Sequence, residues 1–338
     1  MHIGVLGPPK NMVEGRVLLT PRQAGLLEAA GCRVSVEVCA GDRAGFADAD
    51  YAAEGANVAH RNRILQECDL LLTVAPPAPD EILTMPSGAL LLGFLHSGAA
   101  GRQSVEAAKQ RNIVPIGLER IQQQGRFPFR ERMAEVAGAI SMQLAARLLE
   151  SGPGRGVLLG GVGGVPPAAV VVVGAGALGR AATRAFAGVG ASVLVMDHDW
   201  RALEQVETLG LGRVQTMLAG RSEIADAASW ADVLVCAVRV PQGPPPKLVS
   251  PLGGKVGAVW LDLSIDEGGC IEGAKPVYSA DEAYMMEGIT LCPVPNLASW
   301  AARTASRVAS GLLFPSLLRA AESGKPLLES DPWLATGI

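Results

Sequence analysis

The chain has 338 residues, of which 49% are hydrophobic and 18% are charged, and its formal net charge is −4 at pH 7. The length predicts two domains, and the composition is that of a globular chain with ample core. The acidic balance and the lack of a basic stripe argue against nucleic-acid binding. No apolar run reaches the roughly 18 residues of a membrane span, and the N-terminus does not resemble a signal peptide. We therefore expect a soluble, cytoplasmic protein.

Cysteine usage agrees with that compartment. The six cysteines are Cys32, Cys39, Cys68, Cys236, Cys270 and Cys292. None forms a CxxC pair, and no cluster with metal-ligand spacing accompanies them. We expect reduced thiols and no metal site.

Short apolar runs alternate with helical stretches, which predicts parallel sheets with crossover helices. In the first third of the chain, strands are predicted near residues 2–6, 33–38, 69–74, 89–95 and 113–116. Helices are predicted near residues 21–30, 61–67 and 102–111. A long helix is predicted over 130–150, before a break rich in glycine and proline.

A second β/α series follows that break. Its apolar runs are AVVVVGAGALG, ASVLVMD, ADVLVCAV, VGAVWLDLS and ITLCPV, and the pattern turns helical again over 297–323. The fold class predicted is α/β: two Rossmann-like domains with parallel sheets, joined by long helices, with a cleft between them. In open α/β sheets, ligands bind beyond the carboxyl ends of the strands, so residues directly after strands carry the most weight.

The strongest local motif lies between the first two strands of the second series. Gly174, Gly176 and Gly179 fit GxGxxG after four valines and before a helix, a pattern typical of dinucleotide binding. The predicted cofactor-binding turn comprises Gly174, Ala175, Gly176, Ala177, Leu178 and Gly179. Asp197 ends the next strand, where its carboxylate can accept from ribose hydroxyls and would repel a 2′-phosphate. We predict NAD; nearby Arg201 keeps NADP as an alternative, and a glycine turn without a ligand is another.

The segment LLGFLHSGAA (91–100) places His96, one of four histidines, at the end of a predicted buried strand. A histidine titrates near neutral pH and can donate a proton during carbonyl reduction. The alternative is a core histidine whose ring is hydrogen-bonded by backbone groups.

Several separate motifs, which together cover almost the whole chain, point to one family. They are KNMVEGRVLLTP (10–21), FLHSGAA (94–100), MAEVAG (133–138), GRGVLLGGVGGVPPAAVVVVGAGALG (154–179), DLSIDEGGCIEG (262–273) and PNLAS (295–299). The chain thereby resembles the alanine dehydrogenase and pyridine-nucleotide transhydrogenase family. The resemblance implies a substrate domain of residues 1–128 plus 306–338 and an NAD-binding domain of residues 129–305. It also implies an amino acid, keto acid or imine substrate and a homo-oligomer.

The resemblance assigns roles to individual residues. His96 matches the catalytic histidine that bonds the substrate oxygen and exchanges its proton. Asp266 matches the catalytic aspartate that orients ammonia or water near the nicotinamide. Arg16 matches the arginine that holds the substrate carboxylate, and a guanidinium suits bidentate carboxylate binding; the alternative is a surface charge. Asn296 and Val238 are expected beside the cofactor.

The departures from the family pattern bear on the substrate. The family segment D-L-L-L-K-V-K-E-P reads DLLLTVAPP here, so Ala75 replaces a lysine that contacts the keto acid. Two arginines, Arg130 and Arg239, stand where the family has other residues. One hypothesis is that either of them supplies the missing substrate-binding charge; the alternative is drift on an exposed rim. Asp262 and Glu119 are expected to be structural.

We therefore expect an NAD-dependent oxidoreductase that acts on the CH–NH bond of an amino acid or amino-acid-derived imine. Because the lysine is absent, an opine-type or cyclic imino acid substrate is expected rather than alanine. The first alternative is a genuine alanine dehydrogenase with a relocated substrate cation. The second is a non-catalytic NAD-binding or transhydrogenase-like protein.

Overall fold

The computed structural model describes residues 1–9, 12–95, 99–151, 154–240, 243–323 and 331–338. The chain divides into two compact units. Unit 1 comprises Met1–Met133 and Ser299–Ile338, and unit 2 comprises Ala134–Ala298. Among the described residues, no helix combines the length and apolarity that a membrane-spanning segment requires.

Unit 1 is built on a six-stranded sheet in which every neighbouring pair of strands is parallel. Its strands are β1 (His2–Val5), β2 (Arg33–Glu37), β3 (Asn57–Ala59), β4 (Leu70–Thr73), β5 (Leu90–Gly93) and β6 (Val114–Gly117). Its helices are α1 (Pro21–Ala29), α2 (Asp48–Ala53), α3 (Arg61–Glu67), α4 (Pro79–Ile82), α5 (Ala99–Gln110) and α10 (Ala302–Ser323), while α6 (Pro128–Leu149) continues into unit 2. The order is β3-β2-β1-β4-β5-β6. Strands β1, β4 and β5 are buried throughout, as expected of a parallel sheet covered on both faces.

Unit 2 repeats this plan with seven strands. They are β7 (Ala169–Val173), β8 (Ser192–Asp197), β9 (Val214–Leu218), β10 (Val233–Cys236), β11 (Val259–Asp262), β12 (Tyr284–Met286) and β13 (Ile289–Leu291). Three helices pack with them: α7 (Ala177–Gly188), α8 (Trp200–Glu207) and α9 (Arg221–Trp230). The order is β12-β13-β11-β10-β7-β8-β9, and all pairs are parallel except β12 with β13.

The prediction of two Rossmann-like α/β domains is confirmed, with β12 as an antiparallel edge strand that the sequence did not indicate. In each unit the first strand lies between the second and the fourth, β1 between β2 and β4 and β7 between β8 and β10. The chain order reverses at these central strands. The carboxyl ends beside them are therefore the places where ligands are expected.

Candidate functional site

The glycine turn of unit 2 follows β7 and leads directly into α7. Gly174 has φ of +106°, and a Cβ there would lie 2.5 Å from the Ala237 carbonyl oxygen. A Cβ on Gly179 would lie 1.8 Å from the Gly174 carbonyl oxygen, so α7 packs directly against the turn. Gly176 is exposed, precedes the first residue of α7 and has open space where a side chain would stand. The turn thus requires glycine at two positions for packing and leaves the third open to a ligand.

Asp197 lies beside this turn. It is the last residue of β8, and its Oδ2 accepts a hydrogen bond from the Ala175 N–H at 2.6 Å. Its Oδ1 accepts from the Asp199 N–H at 2.9 Å, and the side chain is 13% exposed. His198 Nδ1 also lies 3.2 Å from Oδ1. Oδ2 has a further lone pair, so the group can still accept from ribose hydroxyls. The guanidinium of Arg201 instead lies over the Trp200 ring, 5.2 Å from its centroid.

These residues fit a dinucleotide. The exposed backbone at Gly176, followed by Ala177 and Leu178, forms the N-terminus of a helix, where N–H groups and the helix dipole favour a pyrophosphate. The carboxylate of Asp197 stands at the end of the adjacent strand, the position from which such domains bind ribose.

A loop after β11 carries Asp266 and is closed by Asp262. The Asp262 carboxylate is buried and accepts from the N–H groups of Ser264, Cys270 and Ile271 at 3.1, 2.7 and 2.9 Å. Burial raises the pKa of Asp262, and the three N–H donors act in the opposite direction. Asp262 therefore holds both ends of the loop and is not exposed to a substrate.

Asp266 and Asn296, both predicted site residues, are in contact. Asp266 lies in a 3-10 turn, Ile265–Glu267, and is exposed; its Oδ2 accepts from the Asn296 N–H at 2.8 Å. Asn296 has a φ of +48°, a left-handed conformation that asparagine tolerates better than most residues. The N–H of Val238 donates to Ser264 Oγ at 3.0 Å, which ties the segment after β10 to the Asp266 loop.

Arg239 forms an ion pair within the same region. Its Nε lies 3.1 Å from Glu267 Oε1, and the two side chains are 54% and 37% exposed. On the other side of the loop, Lys247 Nζ donates to the carbonyl oxygens of Gly268 and Gly269 at 2.7 and 2.9 Å. Sequence reasoning identified Arg239 but missed Glu267, whose signal was an acidic residue beside Asp266.

In unit 1, Arg16 is buried and its guanidinium is largely engaged. Its Nε and Nη2 donate to Glu14 Oε1 and Oε2 at 2.9 and 2.5 Å, and its Cζ lies 5.0 Å from the centre of the Phe94 ring. The bidentate edge expected to bind the substrate carboxylate is thus occupied by Glu14, which the sequence reasoning did not include. Nη1 has no hydrogen-bond partner in the described part of the chain. Phe94 follows β5 and precedes His96 by two residues, but His96 itself lies outside the described residues.

Ala75 lies just after β4 and is only 1% exposed. The Thr73 hydroxyl donates to the Ala75 carbonyl oxygen at 2.5 Å, so this turn is closed by a local hydrogen bond.

Glu119 accepts from the Leu95 N–H at 3.1 Å, a structural contact beside the carboxyl end of β5. Arg130 is half-buried in the first turn of α6 and lies over the Phe127 ring, 4.4 Å from its centroid.

Comparisons with known proteins address the family. The family models for the alanine dehydrogenase/PNT N-terminal and C-terminal domains match residues 9–137 and 141–338. The chain is 35% identical to the alanine dehydrogenase of Mycobacterium tuberculosis (strain H37Rv) over 345 residues, covering 100% of this chain and 92% of that protein. It is 31% identical to the alanine dehydrogenase of Bacillus subtilis (strain 168), covering 95% of this chain and 86% of that protein.

Solved structures agree. A structure of L-alanine dehydrogenase superposes with a TM-score of 0.90 at 35% identity, covering 100% of this chain and 94% of that one. A transhydrogenase from Sinorhizobium meliloti shares the fold, with a TM-score of 0.82 at 24% identity, covering 97% and 96%. The chain therefore belongs to the alanine dehydrogenase/PNT family, that of NAD-dependent amino acid oxidoreductases.

Proposed function

We propose that the protein acts on the CH–NH bond of an amino acid or amino-acid-derived imine other than alanine, such as an opine-type secondary amine or a cyclic imino acid. The observation that carries the proposal is Ala75. A buried methyl group stands at the carboxyl end of β4, where the family pattern has a substrate-contacting lysine. A methyl group neither binds a carboxylate nor donates a proton, so the substrate must be held by other groups.

The cofactor side of the proposal rests on unit 2. When bound, NAD supplies the redox chemistry by exchanging two electrons at its nicotinamide ring. The N–H groups at the start of α7 hold the pyrophosphate, and Asp197 accepts from the adenosine ribose. Because that carboxylate repels a 2′-phosphate and Arg201 lies over Trp200, the fit favours NAD over NADP.

Asp266 orients the amine or water. It is exposed, and the hydrogen bond from the Asn296 N–H orients its carboxylate, which can accept from an N–H or O–H of the substrate. His96 exchanges a proton with the substrate oxygen or nitrogen, as the family pattern implies. Arg16 offers the substrate carboxylate only Nη1, because Glu14 occupies its other edge.

Arg130 and Arg239, the two arginines that depart from the family pattern, support a substrate with an additional charged group. Arg239 and Glu267 form a half-exposed ion pair next to Asp266, and either partner can exchange the other for a substrate group of opposite charge. The pair is solvent-screened, so such an exchange costs little, on the order of 1 kcal/mol or less. Arg130, lying over Phe127, is the second candidate for this role.

A genuine alanine dehydrogenase with a relocated cation is the second candidate function. The observation in its favour is that the curated relatives at 31–35% identity carry that name. A third candidate, a non-catalytic NAD-binding or transhydrogenase-like protein, would need neither Asp266 nor His96.

NADH production from NAD at alkaline pH, measured against a panel of amino acids and opines, separates the three candidates. We expect turnover of a substrate other than alanine, and loss of about 10²–10⁴-fold in His96→Ala. His60→Ala is the matched control, because His60 is exposed at the start of α3, and it should leave turnover unchanged. Alanine as the best substrate would establish the second candidate. NAD binding without any turnover would establish the third.

A further inference from the structure

Unit 1 repeats the carboxylate contact that defines the ribose position in unit 2. In unit 2, Asp197 ends the second strand and accepts from the N–H of Ala175, two residues after the first strand. In unit 1, Glu37 ends the second strand, and its Oε2 accepts from the N–H of Gly7 at 2.8 Å, again two residues after the first strand.

The strand registers are also the same. The last residue of each first strand pairs with the residue directly before the carboxylate. The pairs are Val5 with Val36 in unit 1 and Val173 with Met196 in unit 2. Because both sheets have the same order around the central strand, Glu37 occupies in unit 1 the place that Asp197 occupies in unit 2.

A crevice lies at this position in unit 1. Its volume is about 310 Å³, and Gly7, Pro8, Glu37, Cys39, Asp42 and Arg43 are among the residues that line it. That volume is at the lower end of small-molecule sites.

Glu37 has an oxygen available to a ligand. Its Oε2 accepts from Gly7 and from Arg61 Nη1, the latter at 2.9 Å, whereas Oε1 has no hydrogen-bond partner within the described residues. Arg61 also forms an ion pair with Glu81. Because Glu37 and Glu81 share one guanidinium, the cluster of these three side chains carries a net negative charge. The side chain of Glu37 is 19% exposed and is held by two contacts, so Oε1 is fixed in position.

We propose that the crevice at the carboxyl ends of β1 and β2 binds the ribose of a nucleoside, whose vicinal diol donates to Glu37 Oε1. A phosphate is not part of this ligand. Pro8 and Pro9 follow β1 where unit 2 has its glycine turn, and the next helix, α1, begins only at Pro21. The crevice is lined by residues of unit 1 alone, and the proposal does not depend on the proposed substrate.

Cys39 gives a direct readout, because it lines the crevice and is exposed, whereas the other five cysteines are buried. The experiment measures the rate of Cys39 alkylation by iodoacetamide in the intact protein, by mass spectrometry, with increasing adenosine. We expect saturable protection that reaches about tenfold when adenosine is at ten times its dissociation constant. In contrast, 2′,3′-dideoxyadenosine, which lacks the diol, should protect at least tenfold less well at equal concentration, and AMP should protect less than adenosine.

Two variants test the role of Glu37. In Glu37→Gln, the amide oxygen is needed by the Gly7 N–H and Arg61, so the NH₂ group takes the place of Oε1, and protection of Cys39 should be abolished. Glu81→Gln alters the same Arg61 network outside the crevice, and protection of Cys39 should be retained. Equal protection by the dideoxy compound, stronger protection by AMP, or no protection at all would overturn the proposal. The ligand series keeps the test valid even if Glu37→Gln does not fold.

Discussion

In unit 2, α7 packs tightly against the glycine turn at Gly179, and this contact makes a sharp prediction. In Gly179→Ala, the new Cβ would stand 1.8 Å from the Gly174 carbonyl oxygen and 3.5 Å from Val172 Cγ1. The first contact is with backbone, so no flexible side chain can move aside. The helix must shift away from the turn, which lowers stability and displaces the N–H groups that we propose hold the pyrophosphate.

Gly176→Ala is the matched control. Its Cβ would meet no atom within 4 Å, and its φ of −65° suits alanine. We therefore expect Gly179→Ala to lose about 1–3 kcal/mol of unfolding free energy, the usual range for overpacking. Gly176→Ala should keep the wild-type stability and lose only affinity for NAD, by about tenfold, because its methyl group stands where the pyrophosphate approaches.

Thermal unfolding and NADH fluorescence titration, performed on both variants, separate the two effects. An unfolding loss of that size corresponds to roughly 2–4 °C in Tm per kcal/mol for domains of 150–250 residues. A wild-type Tm for Gly179→Ala would refute the contact between helix and turn. Wild-type NADH affinity in Gly176→Ala would refute the placement of the pyrophosphate at this helix.

Three further predictions concern charged groups. Asp197→Asn should weaken NAD binding about tenfold or more and reduce the preference for NAD over NADP, since it removes a charge-assisted hydrogen bond. Titration with both cofactors measures the two dissociation constants, and an unchanged ratio between them would contradict the prediction. Arg239→Ala should raise KM for the best substrate found in the panel about tenfold. Lys247→Ala should instead alter the loop and lower kcat, because Lys247 donates to a loop carbonyl oxygen. If Arg239→Ala has the same KM and kcat as the wild type, Arg239 does not bind the substrate. Burial lowers the pKa of His2, so below about pH 6.5 the unfolded chain binds a proton that the folded chain does not, and stability falls as the pH falls from there to the lowered pKa. His2→Gln should flatten the change in Tm between pH 7 and pH 5.5, and an equally steep change would show that other groups cause it.

The central strands could be predicted from sequence because a parallel sheet covered on both faces leaves continuous apolar runs. Strands β1, β4, β7 and β10 are such runs. Strands at the edge of a sheet are not covered on both faces, so they lack continuous apolar runs and were missed. Strand β9 is mostly exposed, so no apolar run marks it.

The candidate site divides in the same way. The glycine turn and Asp197 could be predicted because strand, turn, helix and strand follow one another directly in the chain. The pairing of Arg239 with Glu267 depends on how the segments after β10 and β11 approach each other, which no local pattern records. Glu14 and Arg16 are two residues apart, yet only the buried fold forces their charges to neutralise each other.

The buried carboxylate of Asp262 has a consequence for how this enzyme can change over evolutionary time. The loop after β11 is held at both ends by main-chain N–H groups that donate to one carboxylate below it. None of the exposed side chains of residues 265–267 is needed for those bonds. Substitution of Glu267 can therefore alter recognition while the loop keeps its conformation and Asp266 is unchanged, so new specificities can arise at this position without a loss of the architecture that supports them.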